Sequence, residues 1–516
     1  DVGDGQGLNP LLQDWTMVIH PPILYLGYVG FAVPFAFAMA SLITRRKDDD
    51  WIHTTRRWSL VTWFFQGTGI LLGAGWAYAV LGWGGYWGWD PVENASLLPW
   101  LTSTAFLHSV MMQEKKGMMK IWNMVLVAAT FWLCIFGTTL TRTGLVSSVH
   151  AFAQSSIGHY FFTFLFIGIG GTIYLILDRL DYLKTEARLE SVLSRESSFM
   201  FNNLILVASC FSVLWGTLFP VISEAVTGEK VSVDAPFFNK VNIPIGLFLL
   251  FLTGVGPLIA WRRSSLDSLR RAFLWPVAGS IVLIGALYAS GVHHIFALLS
   301  FSLCLFVTLT IGSEFIKGAT AIRARTGRNL MASAVELTHR NTRRYGGYIV
   351  HMAIVVMFIG FTGKAFDKDT TVTVATGDSF RLGGYEMKLR EVQSGENSNY
   401  AWSHAKIDVS QNGKMVRTLE PERRAYKASR QPTSEVAIWR RLNEDVYLNF
   451  AGIDGDKSVI QAYVFPLVSW IWVGFWVLAI GTVICMIPSK QKDLRKQPEP
   501  SKTAATPVVE EAQLAR

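Results

Sequence analysis

Long apolar runs separated by short charged connections dominate the chain, and eleven of them can be marked near 17–43, 58–81, 92–112, 121–140, 158–177, 201–219, 244–261, 273–289, 294–313, 346–363 and 464–487. Each is about long enough, as a helix, to cross roughly 30 Å of hydrocarbon. One polar stretch, 364–463, interrupts the pattern ahead of the last run. Within it the period drops to two over 371–375, 385–392 and 405–410, and Gln411-Asn412-Gly413 joins the third run to 414–419. Asn-Gly between alternating runs is a hairpin signal. The pattern predicts an all-α polytopic membrane protein of about 11 helices, with a small β-rich sandwich or barrel inserted before the last helix. The divisions are 1–363, ten helices; 364–463, the outer domain; 464–487, the last helix; and 488–516, a disordered inner tail poor in large apolar residues.

Composition supports this reading. Of 516 residues, 51% are hydrophobic and 16% charged, too apolar for a soluble enzyme. The net charge of +9 raises a nucleic-acid reading, which the placement of the 47 Lys and Arg removes. Alternate connections and the tail carry 29 of them, while the short connections on the other side carry three, Arg142, Lys230 and Lys240. The other 15 lie in the polar insert beside 14 Asp and Glu. This asymmetry orients the basic loops to the cytoplasm and the insert to the outer face, with no nucleic acid as partner. The chain begins with Asp, and residues 1–14 lack the features of a signal peptide, so we expect a longer protein whose front is absent. Cys134, Cys210, Cys304 and Cys485 all lie within apolar runs and never as C-x-x-C, so they read as small buried residues with no dithiol or zinc-ligand role.

The densest chemistry is Gly82-Trp83-Gly84-Gly85-Tyr86-Trp87-Gly88-Trp89-Asp90-Pro91-Val92-Glu93-Asn94, an outer loop leading into the third run. Glycines bare the backbone while Trp83, Trp87, Trp89 and Tyr86 supply flat apolar faces, a combination suited to a large planar ligand. Asp90 and Glu93 read two ways, as a cap on the following helix or as catalytic carboxylates; capping is the more frequent use of that spacing. Histidines inside a membrane are costly and mark function. His20, beside Pro21-Pro22, and His150 fall on the side of the tryptophan loop, whereas His108 and His351 fall about 6 and 7.5 Å from the inner ends of their helices. Two pairs at two levels are what bis-imidazole ligation of two haem irons would need. Packing is the ordinary alternative for each, and is our reading of His53, His159, His293, His294, His339 and His404. Arg142, in Thr141-Arg142-Thr143-Gly144, is placed either to pair with a haem propionate or to reach the lipid headgroups.

These residues resemble the tryptophan-rich haem-handling membrane proteins and, among them, the CcmF-type haem lyase family of cytochrome c maturation. The resemblance runs through Val18-Ile19-His20-Pro21-Pro22, Trp83 to Leu101, His108, Thr141 to Gly144, Ser148-Val149-His150-Ala151-Phe152 and Gly346 to His351, and continues into the late outer domain. It implies that His20 and His150 ligate haem presented at the tryptophan loop, and that His108 and His351 ligate a resident haem b that relays electrons from quinol. It further implies transfer of haem from the holo-CcmE chaperone to the C-x-x-C-H motif of apocytochrome c through thioether bonds, with CcmH and CcmI as partners. Other readings are a paralogue dedicated to a nitrite reductase cytochrome, a haem transporter or relay that forms no bond, and a multi-span channel without cofactor.

Overall fold

The computed structural model describes residues 7–144, 148, 157–185, 189, 191–259 and 265–488. The expected tail, but for Pro488, lies outside them. The helices are α1 (Thr16–Gly30), α2 (Ala32–Ile43), α3 (Asp50–Val80), α4 (Pro91–Lys116), α5 (Lys120–Thr143), α6 (Gly158–Asp178), α7 (Leu180–Leu183), α8 (Arg195–Thr227), α9 (Ala235–Val255), α10 (Leu266–Ala289), α11 (Ile295–Thr326), α12 (Leu330–Arg340), α13 (Thr342–Gly363) and, after the strands, α14 (Ser469–Met486). The first apolar run is broken at Phe31 because Pro34 lacks the N–H that would bond the Gly30 carbonyl four residues back.

Among the described residues nine helical spans are long and apolar enough to cross a membrane, α1 and α2 forming one of them. The chain is an integral membrane protein. The expected runs 58–81 and 92–112 are present as α3 and α4 but are not among the nine. Protein surrounds both, and they bury Thr62, Gln66, Asn94 and Ser103. A helix packed on most sides by protein can carry polar groups that bond its neighbours, and here Gln66 Nε2 donates to Ser96 O at 2.8 Å and Trp63 Nε1 to Thr104 Oγ1 at 2.8 Å. The expected run at 244–261 is displaced: α9 starts at Ala235, and its first turns carry Asn239 and Asn242. Asn242 is tolerated there because it accepts from Ser209 Oγ of α8 at 2.9 Å and donates to Phe238 O at 3.0 Å.

The polar insert is a β sandwich of β1 (Lys368–Val374), β2 (Ser379–Leu382), β3 (Tyr385–Glu396), β4 (Tyr400–Gln411), β5 (Lys414–Leu419), β6 (Glu422–Tyr426), β7 (Pro432–Glu435), β8 (Ala437–Trp439), β9 (Glu444–Asp454) and β10 (Lys457–Pro466). One sheet runs β1-β10-β9-β8; the other runs β2-β3-β4-β6-β7, with β5 also on β4. Met387, Leu389, Ile407 and Val409 pack with Val446, Leu448, Phe450, Ile460 and Ala462 in one apolar core. The expected hairpin is present: Asn412 and Gly413 have φ of 51° and 73°, the left-handed pair that a two-residue turn between twisted strands requires. On β9 the alternate residues also face protein. Tyr447, with Phe465, packs on Tyr78 of α3, so the sandwich is seated on the helices.

Candidate functional site

The tryptophan loop is fixed at both ends. At its start, Gly82 and Gly84 have φ of 72° and 75°, open only to glycine without strain. Asn449 Nδ2 of β9 donates to Gly82 O at 3.1 Å, and a Cβ on Gly84 would stand 2.9 Å from the Tyr463 ring of β10. At its end Asp90 caps α4. Val92 N donates to Asp90 Oδ1 at 2.9 Å, while Glu93 Oε2 accepts from Asp90 N at 3.1 Å and Gly88 N at 2.9 Å. Both carboxylates thus take part in a capping box at the start of α4. Ser148 Oγ also donates to Asp90 Oδ1 at 2.7 Å, which places Ser148 at the loop.

The three tryptophans differ. Trp89, at φ 57°, stacks on Phe238 with centroids 5.0 Å apart and donates from Nε1 to Asn239 Oδ1 at 3.0 Å. Trp87 stands edge-on to it at 5.9 Å. Trp83 lies over Gly88, where a Cβ would come within 2.3 Å of its ring, and is 40% exposed. It is the most solvent-facing of these aromatic planes. Sequence reasoning missed the clamps from the sandwich and from α9, since Asn449, Tyr463 and Asn239 carry no local signal.

His20 lies at the same end of the bundle, beside α3. Its Nδ1 donates to Gly69 O at 2.9 Å, because a carbonyl only accepts, so in the neutral ring Nε2 carries the lone pair. The ring sits over Gly73, where a Cβ would fall 2.7 Å from Cε1. His150 lies outside the described residues. Arg142 is on the exposed last turn of α5.

Nearer the other side, the structure brings His108 of α4 and His351 of α13 together, with ring centroids 6.2 Å apart and planes 7° from parallel. Two imidazoles holding one metal ion, with metal–nitrogen distances of about 2 Å and each nitrogen about 1 Å from its ring centroid, would have centroids about 6 Å apart. His108 Nδ1 donates to Thr104 O at 2.7 Å, which again leaves Nε2 as the basic nitrogen. One turn from His351, a Cβ on Gly347 would meet nothing within 4 Å, and the Phe199 ring lies 6.2 Å from His108. Ring spacing, the His108 tautomer and the buried His351 Nδ1 without a hydrogen-bond partner suit a metal macrocycle held between α4 and α13.

Residues 2–146 match the family model described as Cytochrome C assembly protein, and residues 365–466 match CcmF C-terminal beta-sandwich. The chain is 36% identical over 495 residues to the Cytochrome c-type biogenesis protein CcmF of Pseudomonas aeruginosa, covering 95% of this chain and 74% of that one.

It belongs to the CcmF family.

A Haemophilus influenzae relative, Cytochrome c-type biogenesis protein NrfE, is 31% identical over 506 residues and covers 95% of this chain and 75% of its own. A solved structure, Cytochrome c Heme Lyase CcmF, superposes with a TM-score of 0.75 at 28% identity, over 92% of this chain and 73% of that chain. CcmF-family membership makes this chain a cytochrome c biogenesis protein of the haem lyase family. Both matched regions contain parts of the site: the tryptophan loop and His20 in the first, Asn449 and Tyr463 in the second.

Proposed function

We propose that this protein joins haem to apocytochrome c at the tryptophan loop, using a second, resident haem b held by His108 and His351. The observation that carries the reading is the near-parallel imidazole pair, with centroids 6.2 Å apart in the bundle. The resident haem, when bound, supplies one-electron transfer, with quinol as the source of electrons. His108 and His351 hold it, and Thr104 O fixes the His108 tautomer.

At the outer site the substrate haem arrives from a holo-CcmE-type chaperone. Trp83 and Trp87 offer it flat faces, while Trp89, held by Phe238 and Asn239, braces the loop. His20, oriented by Gly69 O, and His150 bind its iron, and Arg142 pairs with a propionate. Asp90 and Glu93 keep the loop closed on α4. Each thiol of a C-x-x-C-H segment, presented by CcmH and CcmI, adds across a vinyl group. Sulfur bonds one vinyl carbon, the proton goes to the other, and no net oxidation occurs. The chain's contribution is to hold vinyl and thiol in reacting geometry, for which proximity supplies much of the rate. The sandwich side is then periplasmic and the membrane is the bacterial inner one.

The test is a reconstituted mixture of the full chain, holo-chaperone, reduced apocytochrome and the thiol-holding partners. Haem that stays on the cytochrome through denaturation supports bond formation. Haem that moves between proteins but is extracted from every one of them would make this a relay and not a lyase.

A further inference from the structure

Three turns of the β sandwich gather at the end from which the chain passes into α13 and α14. Residues 440–443, between β8 and β9, lie beside the entry to α14, since Leu467 N donates to Asn443 O at 2.9 Å just before that helix begins. The turn between β2 and β3 stands at the same level: a Cβ on Gly383 would meet Val464 Cγ2 at 3.2 Å and Lys368 Cδ at 3.4 Å. Those two residues pair where β1 begins and β10 nears its end. Asn412 and Gly413 project past the paired Tyr385 and Gln411, and Tyr385 Oη donates to Glu444 Oε1, the first residue of β9, at 2.6 Å.

This end differs in charge from the rest of the insert. Its turns with their flanks, 381–386, 411–417 and 440–445, carry five cations and three carboxylates, whereas the remainder of 364–463 carries ten and eleven. The three carboxylates are engaged within the fold. Glu386 lies 3.6 Å from Arg381, Glu444 accepts from Tyr385, and the buried Asp445 accepts from Tyr78, Ser469 and Arg441 N, with Arg440 near enough to act on its charge. Arg441 lies over the Trp439 ring at 4.8 Å and donates to Tyr385 Oη at 3.0 Å. Lys414, Arg417 and Arg440 are exposed, and neither Lys414 nor Arg417 has an ion-pair partner among the described residues.

Apolar side chains share the surface. Of the large hydrophobic residues that the insert exposes, Met415 (58%), Val416 (40%) and Leu442 (62%) lie at this end, and Ile453 lies at the other. Between the two glycine turns opens a cleft of about 350 Å³, lined by Arg381, Gly384, Tyr385, Ser410 and Asn412 among others. Exposed apolar groups ringed by cations, beside the point where a helix enters the membrane, match a surface of hydrocarbon and phosphate.

We propose that this end of the sandwich is a docking surface for anionic phospholipid headgroups of the membrane that the chain spans. Leu442 and Met415 sink among the headgroups, Lys414, Arg417 and Arg440 pair with phosphates around them, and the cleft beside Arg381 receives one headgroup. The cations lie on the side whose short connections carry three Lys and Arg, so they are separate from the asymmetry that orients the helices. Lipid would hold the sandwich at its base while β9 and β10 hold the tryptophan loop at Gly82 and Gly84, so that lipid charge bears on that clamp.

The test is amide hydrogen exchange on the full chain in nanodiscs of one copy each, made with phosphatidylcholine alone or with part of it replaced by phosphatidylglycerol. One cation near an anionic surface is worth about fivefold in binding. Peptides covering 381–386, 411–417 and 440–444 should therefore exchange at least about fivefold more slowly in the anionic discs, and high salt should shrink the difference to below about twofold. The 454–457 turn at the far end is the control and should exchange alike in both. The triple variant Lys414→Gln, Arg417→Gln, Arg440→Gln should lose the dependence on lipid charge while β3 and β9 stay protected; if it is poorly recovered, Lys414→Gln alone should weaken the dependence. Leu442→Ser should speed exchange of 440–444 in both kinds of disc. Equal exchange in the two lipids, a lipid effect that the charge variants retain, or one that the 454–457 turn shares would overturn the proposal. So would protection conferred in phosphatidylcholine discs by soluble glycerol phosphate, which would make the cleft a small-anion site and not a membrane contact.

Discussion

Gly73 offers a sharp test of the outer histidine. A Cβ there would lie 2.7 Å from His20 Cε1, about 0.7 Å inside ordinary contact, and 3.2 and 3.3 Å from the ring nitrogens. The backbone of α3 is packed against α1, so the ring must yield, swinging away from Gly69 and straining its 2.9 Å bond. Gly75, two residues on, is the control, since its Cβ would reach the Trp472 ring at no less than 3.8 Å. Both substitutions gain roughly 0.5–1 kcal/mol of helix propensity. At Gly73 the weakened hydrogen bond offsets this by about 0.5–1.5 kcal/mol. Melting temperature should therefore stay near the natural value for Gly73→Ala and stay or rise for Gly75→Ala. Function should separate them. A ligand displaced by most of an ångström loses on the order of tenfold to a hundredfold in a geometry-dependent step. The assay is the yield of covalent cytochrome c in cells whose own copy of this protein is replaced, at matched protein levels, with resident haem measured in the same membranes. Gly73→Ala should lower maturation by that factor and leave the resident haem intact. If it matures cytochrome c as well as Gly75→Ala does, His20 is not held for ligation by this contact.

Other expectations concern the frame around the loop. Asp90→Ala removes the side chain that caps α4 and receives Ser148 Oγ, and should cost about 0.5–2 kcal/mol in denaturant unfolding; Asp90→Asn should recover most of it. Asp445 is buried where β9 meets α14, accepting from Tyr78 Oη at 3.1 Å, Ser469 Oγ at 3.1 Å and Arg441 N at 3.0 Å, and burial lifts its carboxyl above the usual range. A raised folded value means that the neutral form is favoured in the native state, so this group's contribution is full at low pH and is lost as pH rises through that value. Asp445→Asn should remove that slope from a stability–pH series and be neutral or stabilising near pH 7, whereas Asp445→Ala should destabilise by about 1–3 kcal/mol because three donors lose their acceptor. Asn449→Ala releases the Gly82 carbonyl and should raise tryptophan accessibility to a fluorescence quencher before any change in global unfolding.

What was legible in the sequence depended on local signals. Apolar runs, the positive charge of alternate connections and the Asn412-Gly413 turn are properties of neighbouring residues, and the helices and the β3, β4 and β5 hairpins follow them. Helix ends were less legible: α9 begins nine residues before its apolar run because Asn239 and Asn242 find partners on other elements. α3 and α4 are less apolar than a lone membrane helix because polar side chains join them to neighbours. At the site, Asp90 and Glu93 were readable as a cap from their spacing, and His108 with His351 from their depth. The clamp of β9 and β10 on Gly82 and Gly84 was not, because residues about 367 apart in the chain meet there. Nor was the distinct use of each tryptophan, which is decided by Phe238, Asn239 and Gly88 and not by the spacing of the indoles.

The central claim is that His108 and His351 grip one iron between α4 and α13. Its most direct test is a reduced-minus-oxidised spectrum with a pyridine haemochrome on the detergent-purified full chain, beside His108→Ala and His351→Ala proteins of matched yield and melting temperature. The account predicts a b-type signal in the natural protein that each single substitution removes or converts to a five-coordinate form. A signal unchanged in either variant, or a colourless natural protein from haem-sufficient cells, would contradict it.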